Sequence, residues 1–260
     1  MLQDLLAINV FHFLLVFARL SVVFLLMPGV SAGYMPARIR LLLALLVTAV
    51  MLPLVQDTLP PQPDAPAELV ALIGMEVLIG GFLGGLVQIV MSTLELAGNM
   101  ISTAAGLTNA FVDDLVSEEQ TAIVVGLLNI VAVVMVFITG MHGLLLMAVA
   151  DSYSLLTPGR PIITGDALNM ATTLLGQAFM MGLKLAAPFL VFEIVFQTAN
   201  GILARLAPQL NVFFIALPAQ NLIGFAILMI SLPTMMLMFL GYFENSLESL
   251  LLPTVLNGRG

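Results

Sequence analysis

Cysteine and tryptophan are absent from this sequence of 260 residues, which contains only two histidines, His12 and His142. The lack of cysteine excludes disulfide bonds, thiolate metal sites and a cysteine nucleophile. Two histidines in apolar surroundings are too few for a histidine-rich metal centre, and each is expected to be a hydrogen-bonded structural group. Without tryptophan, the chain has no tryptophan belt of the kind that often marks a membrane surface.

Charge is also scarce, because 8% of the residues are charged and 61% are hydrophobic. A soluble domain carries roughly 25% charged residues, so the composition predicts an integral membrane protein. The formal net charge of −8 comes from few residues. Its sign opposes binding to a phosphate backbone, which argues against nucleic acid as a partner.

The sequence lacks the short motifs that carry common active-site chemistry. It contains no HExxH, no G-x-S-x-G, no Walker lysine loop and no dinucleotide-binding glycine fingerprint. No set of nucleophile, base and orienting group is recognisable. We therefore predict a protein that is not an enzyme and holds neither a cofactor nor a metal.

What the chain has in abundance is long apolar runs, which predict an all-α membrane protein. About 20 apolar residues span a bilayer, and about six hydrophobic segments are visible, at residues 5–27, 39–55, an arm near 69–120, 121–150, 168–200 and 212–243. Residues 56–67, 151–165 and 201–211 are expected to connect them. Pro36 and Pro66 suit first helical turns, Asp166 suits an N-cap, and Pro188 predicts a kink.

The arm carries an unusual line of small and polar residues. Its members recur at alternating steps of four and three, which places them on one face of a continuous helix; they are Gly81, Gly85, Gln88, Ser92, Glu95, Asn99, Ser102 and Gly106. We call this line the small-polar seam. In an apolar solvent such a face lets helix backbones approach closely and hydrogen-bond. It therefore packs within the same chain, packs against other subunits or lines a conduit.

Beyond the seam the helical pattern breaks into Phe111-Val112-Asp113-Asp114. One interpretation is a solvated turn at the tip of a hairpin. The other is functional, since Phe111 and Val112 beside a polar channel would close that channel by excluding water.

Four ionisable residues lie inside apolar segments, namely Arg19, Glu76, Lys184 and Glu193. A buried charge in a membrane segment is costly and is a candidate for function. The structural alternative is mutual pairing, for which Glu76 with Lys184 and Arg19 with Glu193 are two candidate pairs.

One connector and the segment after it read RLAPQLNVFFIALPAQ, residues 205–220. This stretch resembles the signature of the FliR family of flagellar type III export proteins. The matching residues are Arg205, Pro208, Gln209, Asn211, Phe213, Pro218 and Gln220. The stretches ELAGNMISTAAGL at 95–107 and GMHGLLLMAVADSYSLLTPG at 140–159 agree with it, as do length and segment number across essentially the whole chain. The Pro-Ala-Gln ending resembles the flagellar branch more than the injectisome branch.

The resemblance implies one export-gate membrane domain over residues 1–260, in the inner membrane at the flagellar basal body. Family members assemble with FliP and FliQ, and FlhB associates with them. Their long kinked hairpins form a closed helical pore for unfolded flagellar proteins, partly buried in partner subunits instead of lipid. A family loop contributes to the plug of this pore; it corresponds to residues 110–114 here, with Phe111, Val112 and Asp113 matching. The family commonly continues with proline where this chain has Asp114.

Three hypotheses follow from the sequence. The first is a non-enzymatic pore subunit of a flagellar protein exporter, and the second is the homologous subunit of a virulence injectisome. The third is a small-solute transporter or channel that uses Arg19, Glu76, Lys184 and Glu193 as a relay. The absence of an internal repeat disfavours a transporter built from two similar halves.

Overall fold

A computed structural model describes residues 2–31, 33–107, 111–113, 120–159, 164–207, 209 and 212–251. Seven helices are present in these residues: α1 (Leu2–Leu26), α2 (Ala37–Val55), α3 (Pro66–Ala104), α4 (Ile123–Ile138), α5 (Met141–Leu155), α6 (Thr164–Leu206) and α7 (Val212–Leu251). A short 3₁₀ turn, Gln56–Thr58, follows α2, and two short strands, β1 (Phe111–Asp113) and β2 (Gln120–Ala122), lie between α3 and α4. The prediction of an all-α membrane protein is confirmed.

Four helical stretches of the described chain are long and apolar enough to cross a membrane: Ala37–Thr58, Pro66–Ala104, Gly165–Leu206 and Ala216–Ser249. Helices α4 and α5 together form a broken or re-entrant fifth candidate, and α1 contributes a shorter apolar stretch, Val10–Leu26. Each of the six predicted segments contains a helix, but in the arm near 69–120 the helix ends at Ala104 and strand β1 follows at Phe111–Asp113. An α-helix pairs its backbone N–H and C=O groups within its own segment, which suits these apolar stretches to a solvent that offers no hydrogen bonds.

The boundaries of two predicted segments need correction. Residues 121–150 were expected to form one segment, but the chain breaks at Gly140, whose φ of +78° is left-handed. Glycine adopts this conformation without steric cost, and α5 begins at the next residue. Helix α6 begins at Thr164 and runs to Leu206, so Asp166 lies in the first turn instead of at the N-cap. The same helix continues past Pro188.

The contacts of the chain divide it into two compact units. Unit 1 comprises Met1–Val90, Phe137–Leu174 and Glu244–Gly260, and unit 2 comprises Met91–Val136 and Leu175–Phe243. Leu15, Leu20 and Ile79 are fully buried in unit 1, and Leu94 and Phe239 in unit 2. Because each unit gathers separate stretches of sequence, the prediction of a single domain over residues 1–260 stays a prediction.

Candidate functional site

The predicted plug loop coincides with a two-stranded antiparallel ribbon. Strand β1 pairs with β2 in the register Phe111 with Ala122, Val112 with Thr121 and Asp113 with Gln120. Helix α4 starts at Ile123, directly after β2. Residues 110 and 114 of the predicted loop lie outside the described residues, as do the side chains of 111–113. The backbone at Phe111–Asp113 is therefore extended and paired, which the sequence analysis did not foresee.

The two helices that flank the ribbon touch through a glycine that sequence reasoning missed. A Cβ atom built on Gly98 of α3 would lie 2.7 Å from Cγ2 and 2.8 Å from Cα of Val125 in α4. Only glycine leaves room for this approach. The signal was present in the sequence, since Gly98 stands beside the seam residue Asn99, but its helix face was not recognised as a contact.

At the start of the small-polar seam, the structure uses a neighbouring line for packing within the chain. A Cβ on Gly80 would lie 2.5 Å from the carbonyl oxygen of Arg19, and one on Gly84 would lie 2.7 Å from Leu26. We call Glu76, Gly80 and Gly84 the α1-facing line. In contrast, the seam residue Gly85 has no atom of the described chain within 4 Å of such a Cβ.

The seam residue Gly81 lies opposite Val22 of α1, and a Cβ on that glycine would approach Cγ1 of Val22 only to 3.9 Å, an ordinary van der Waals distance. Farther along α3, Gln88 donates a hydrogen bond from Nε2 to the carbonyl oxygen of Leu26 at 2.6 Å. At Gln88 the seam therefore packs against another helix of the same chain. At Gly85 no atom of the described chain lies close enough to contact a Cβ.

The second half of the seam runs toward the ribbon and changes character. Ser92 is partly exposed, and Glu95 and Asn99 are exposed. Ser102 is buried and donates to the carbonyl oxygen of Gly98 at 2.7 Å. Gly106 corrects the prediction of one continuous helical face, because α3 ends at Ala104 and Gly106 has a left-handed φ of +74°.

Two of the four predicted interior charges meet in a buried ion pair within unit 1. Nε of Arg19 donates to Oε2 of Glu76 at 2.7 Å and Nη2 to Oε1 at 3.2 Å, and both side chains are fully buried. Arg19 also donates to Oγ of Ser152 at 2.9 Å and to the carbonyl oxygen of Leu156 at 2.9 Å. The ring centroid of Tyr153 lies 3.9 Å from the guanidinium carbon. A bidentate arginine whose three nitrogens each donate a hydrogen bond thus connects α1, α3 and α5.

The other two interior charges have different surroundings. Lys184 in α6 is exposed within the chain and Glu193 is partly exposed. The candidate pairs of Glu76 with Lys184 and of Arg19 with Glu193 are wrong, because Arg19 and Glu76 bind each other. An apolar run alone does not distinguish a chain's own core from a surface that lipid or another subunit covers, which is why burial at Lys184 was expected.

The signature residues of the 205–220 stretch lie at the junction of α6 and α7. Arg205 is exposed in the last turn of α6, and Gln209 and Pro218 are exposed. Pro208, Asn211 and the side chain of Phe213 lie outside the described residues. Gln220 is buried and donates from Nε2 to the carbonyl oxygen of Ala104, the last residue of α3, at 2.8 Å.

The two histidines make packing and hydrogen-bonding contacts. Among the described side chains, no group of three or more His, Cys, Asp or Glu residues is placed to hold a metal ion. Nε2 of His12 lies 3.1 Å from the carbonyl oxygen of Pro60, and the ring of His142 stacks on Phe137 with centroids 5.1 Å apart. The arrangement that remains as a candidate site is the ribbon, with the helix ends that hold it.

Known proteins match this chain over nearly its whole length. The model of the family described as bacterial export proteins, family 1, matches residues 10–246. The flagellar biosynthetic protein FliR of Caulobacter vibrioides is 33% identical over 242 residues, covering 93% of this chain and 96% of that protein. FliR of Escherichia coli is 26% identical over 209 residues, covering 79% and 78%. The secretion system apparatus protein SsaT of Salmonella typhimurium is 26% identical over 163 residues, covering 62% and 63%.

Proposed function

This chain belongs to the bacterial export proteins, family 1, together with the FliR proteins, and from that membership we propose that it is a non-enzymatic pore subunit of the flagellar type III export gate. The observation that carries the proposal is the family match over residues 10–246, which includes most of α1 and all of α2 to α6. The chain is a membrane protein of the flagellar export apparatus, located in the inner membrane at the basal body. Unfolded flagellar proteins would leave the cytoplasm through the pore.

The gate is closed, in this proposal, by the ribbon between α3 and α4. Phe111 and Val112 would form an apolar constriction that excludes water, and Asp113 would shape the loop. Supporting this, the ribbon begins shortly after a helix whose end is tied to α7 by Gln220. A constriction closes a pore reliably only if its backbone is held in place by rigid elements.

FliP and FliQ are the proposed partners within the pore, and FlhB is proposed to associate with the assembly. The open position at Gly85 and the exposed seam residues Glu95 and Asn99 support a contact outside this chain. Small residues at a helix surface let another helix approach closely in an apolar solvent. Lipid would cover the remaining apolar faces of the long helices.

Co-purification tests the assembly. The tagged full-length chain would be expressed with and without FliP and FliQ, and the product weighed by native mass spectrometry. A defined complex that contains this chain is expected only with the partners. A stable, monodisperse particle formed by this chain alone would contradict the proposal and favour a solute transporter.

The plug is tested by replacing its aromatic residue. In cells that carry the assembled gate, Phe111→Ala should increase leakage of small ions, because loss of the ring widens the constriction and admits water. Phe179→Ala is the matched control, since Phe179 is 53% exposed on α6 and lies outside the loop. Leakage equal to that of the parent, at equal gate assembly, would reject Phe111 as a plug residue.

The homologous subunit of an injectisome is the second candidate function. It is favoured by the match to SsaT at 26% identity over 62% of this chain. The match to the flagellar protein of Caulobacter vibrioides is higher in identity and extends over 93% of this chain. Complementation of motility in a strain that lacks its own FliR, compared with complementation of effector secretion in a strain that lacks SsaT, separates the two.

A further inference from the structure

The carboxyl end of α3 is closed by two sets of hydrogen bonds, and the first is made by its own backbone. Gly106 N–H donates to the carbonyl oxygen of Thr103 at 3.1 Å, and Leu107 N–H donates to that of Ser102 at 2.8 Å. With the left-handed φ of Gly106, this is a Schellman motif. It satisfies the carbonyls of Ser102 and Thr103 but leaves those that follow without a backbone donor from this motif.

The second set comes from two side chains of α7. Gln220 donates from Nε2 to the carbonyl oxygen of Ala104 at 2.8 Å. Asn221, with its amide nitrogen oriented toward the carbonyls, donates to Ala105 at 2.7 Å and to Gly106 at 3.3 Å. This orientation of the amide follows from its surroundings, because in the opposite orientation the side-chain oxygen of Asn221 would face only hydrogen-bond acceptors. We call Gln220 and Asn221 the amide pair.

Packing around the amide pair leaves little freedom. A Cβ on Gly224, one turn along α7, would lie 2.6 Å from Cβ of Ala105, and one on Gly106 would lie 2.8 Å from the side-chain amide of Asn221. The end of α3 therefore lies directly against α7. Together, the Schellman motif and the amide pair provide a donor for every carbonyl from Ser102 to Gly106.

We propose that Gln220 and Asn221 are positioning residues that hold the root of the plug ribbon through the end of α3. Gly106 precedes Phe111 by only five residues, so displacement of this helix end would displace the start of β1. The other root of the ribbon, α4, is held against α3 through Gly98 and Val125. The role in closing the pore rests on the proposed function of the ribbon.

Hydrogen-bond donation, and not side-chain volume, is the property that this proposal assigns to Gln220. Methionine has nearly the same length and no donor, whereas lysine is longer, donates, and carries a positive charge suited to a helix carboxyl end. A residue that only fills space would tolerate methionine better than lysine. A residue that satisfies a carbonyl would tolerate lysine better than methionine, because a buried unpaired carbonyl is costly.

The test uses the full-length chain in the assembled gate. Because the chain has no cysteine, Leu107→Cys reports the accessibility of the α3 end through its rate of maleimide labelling. Gln220→Met should raise that rate roughly 5- to 100-fold, from the loss of one buried hydrogen bond, and Gln220→Lys should leave it within about twofold. The control is Met236→Ala, which creates a cavity in α7 at a residue that is 2% exposed. This variant should leave the labelling rate unchanged.

Equal rates for Gln220→Met and Gln220→Lys, or an equal rise with Met236→Ala, would overturn the proposal. If Gln220→Met fails to accumulate, Asn221→Leu removes the neighbouring donor and is compared with the same control. Ion leakage of the same variants, with Phe111→Ala as reference, separates the two proposals. If Gln220→Met is labelled faster than Gln220→Lys but Phe111→Ala does not leak, only the plug proposal is rejected. If Phe111→Ala leaks but Gln220→Met and Gln220→Lys are labelled at the same rate, only the proposal for the amide pair is rejected.

Discussion

Two lines of glycine run side by side along α3 and have different neighbours. Gly80 and Gly84, in the α1-facing line, meet α1 so closely that neither has room for a Cβ atom. Gly81 and Gly85, each one residue later, have space for one. The same residue type at adjacent positions thus serves the chain's own packing in one line and leaves the other available to a partner, as we propose for the export gate.

The largest expected loss of stability comes from replacing Glu76, the charged residue of the α1-facing line. Glu76→Leu leaves Arg19 buried without a counter-ion, which costs roughly 3–5 kcal/mol. We expect the chain to be degraded in membranes, measured as its half-life after a pulse of synthesis. The double variant Arg19→Leu with Glu76→Leu should recover most of the half-life, because apolar replacement of both partners is often close to neutral. A double variant as short-lived as the single one would contradict this.

A smaller loss of stability is expected from Gly80→Ala. Comparing this variant with Gly81→Ala directly compares the two glycine lines. The added methyl at Gly80 would lie 2.5 Å from a backbone carbonyl oxygen, and overpacking of this kind costs about 1–3 kcal/mol. At Gly81 the methyl has room, and alanine is the better helix former by about 1 kcal/mol. The half-life of the chain should fall for Gly80→Ala and not for Gly81→Ala. Equal losses would show that the lines do not differ.

The smallest effect on the chain itself, and a specific one on assembly, is expected from Gly85→Leu. No described atom of the chain lies within 4 Å of a Cβ at this position, so the half-life should not change. Co-purification with FliP and FliQ should fall, because a bulky side chain prevents close approach of another helix. Gly176→Leu in α6, also with nothing within 4 Å, is the matched control. Normal assembly of Gly85→Leu would remove the seam as a partner contact.

Much of the fold was predictable because the preference for an apolar solvent is a property of local composition. Each predicted segment contains a helix, and Pro66 begins α3. The break at Gly140 was missed because glycine is common inside membrane helices. The connector between α6 and α7 was predicted to begin at residue 201, but α6 continues to Leu206. Residues 201–206 lack the long apolar runs that guided the prediction.

The candidate site was predictable only in part. Arg19 and Glu76 were recognised as interior charges, but their pairing joins positions 57 residues apart and depends on how α1 and α3 pack. Gln220 was noticed as part of a family signature, without any indication that it reaches the end of α3. Asn221 was not noticed, since an asparagine in an apolar helix carries no local sign of the carbonyls that it binds.

The sequence by itself determined that this is a helical membrane protein of the export family, because composition, run length and motif residues are read along the chain. Only the tertiary structure decided which side of each helix has a partner. Successive residues of an α-helix differ by about 100° in direction, at 3.6 residues per turn. A shift of one position, as from Gly80 to Gly81, therefore changes both the nearest residue and the space that is left for a side chain, and the packing of the other helices selects which neighbour each residue meets.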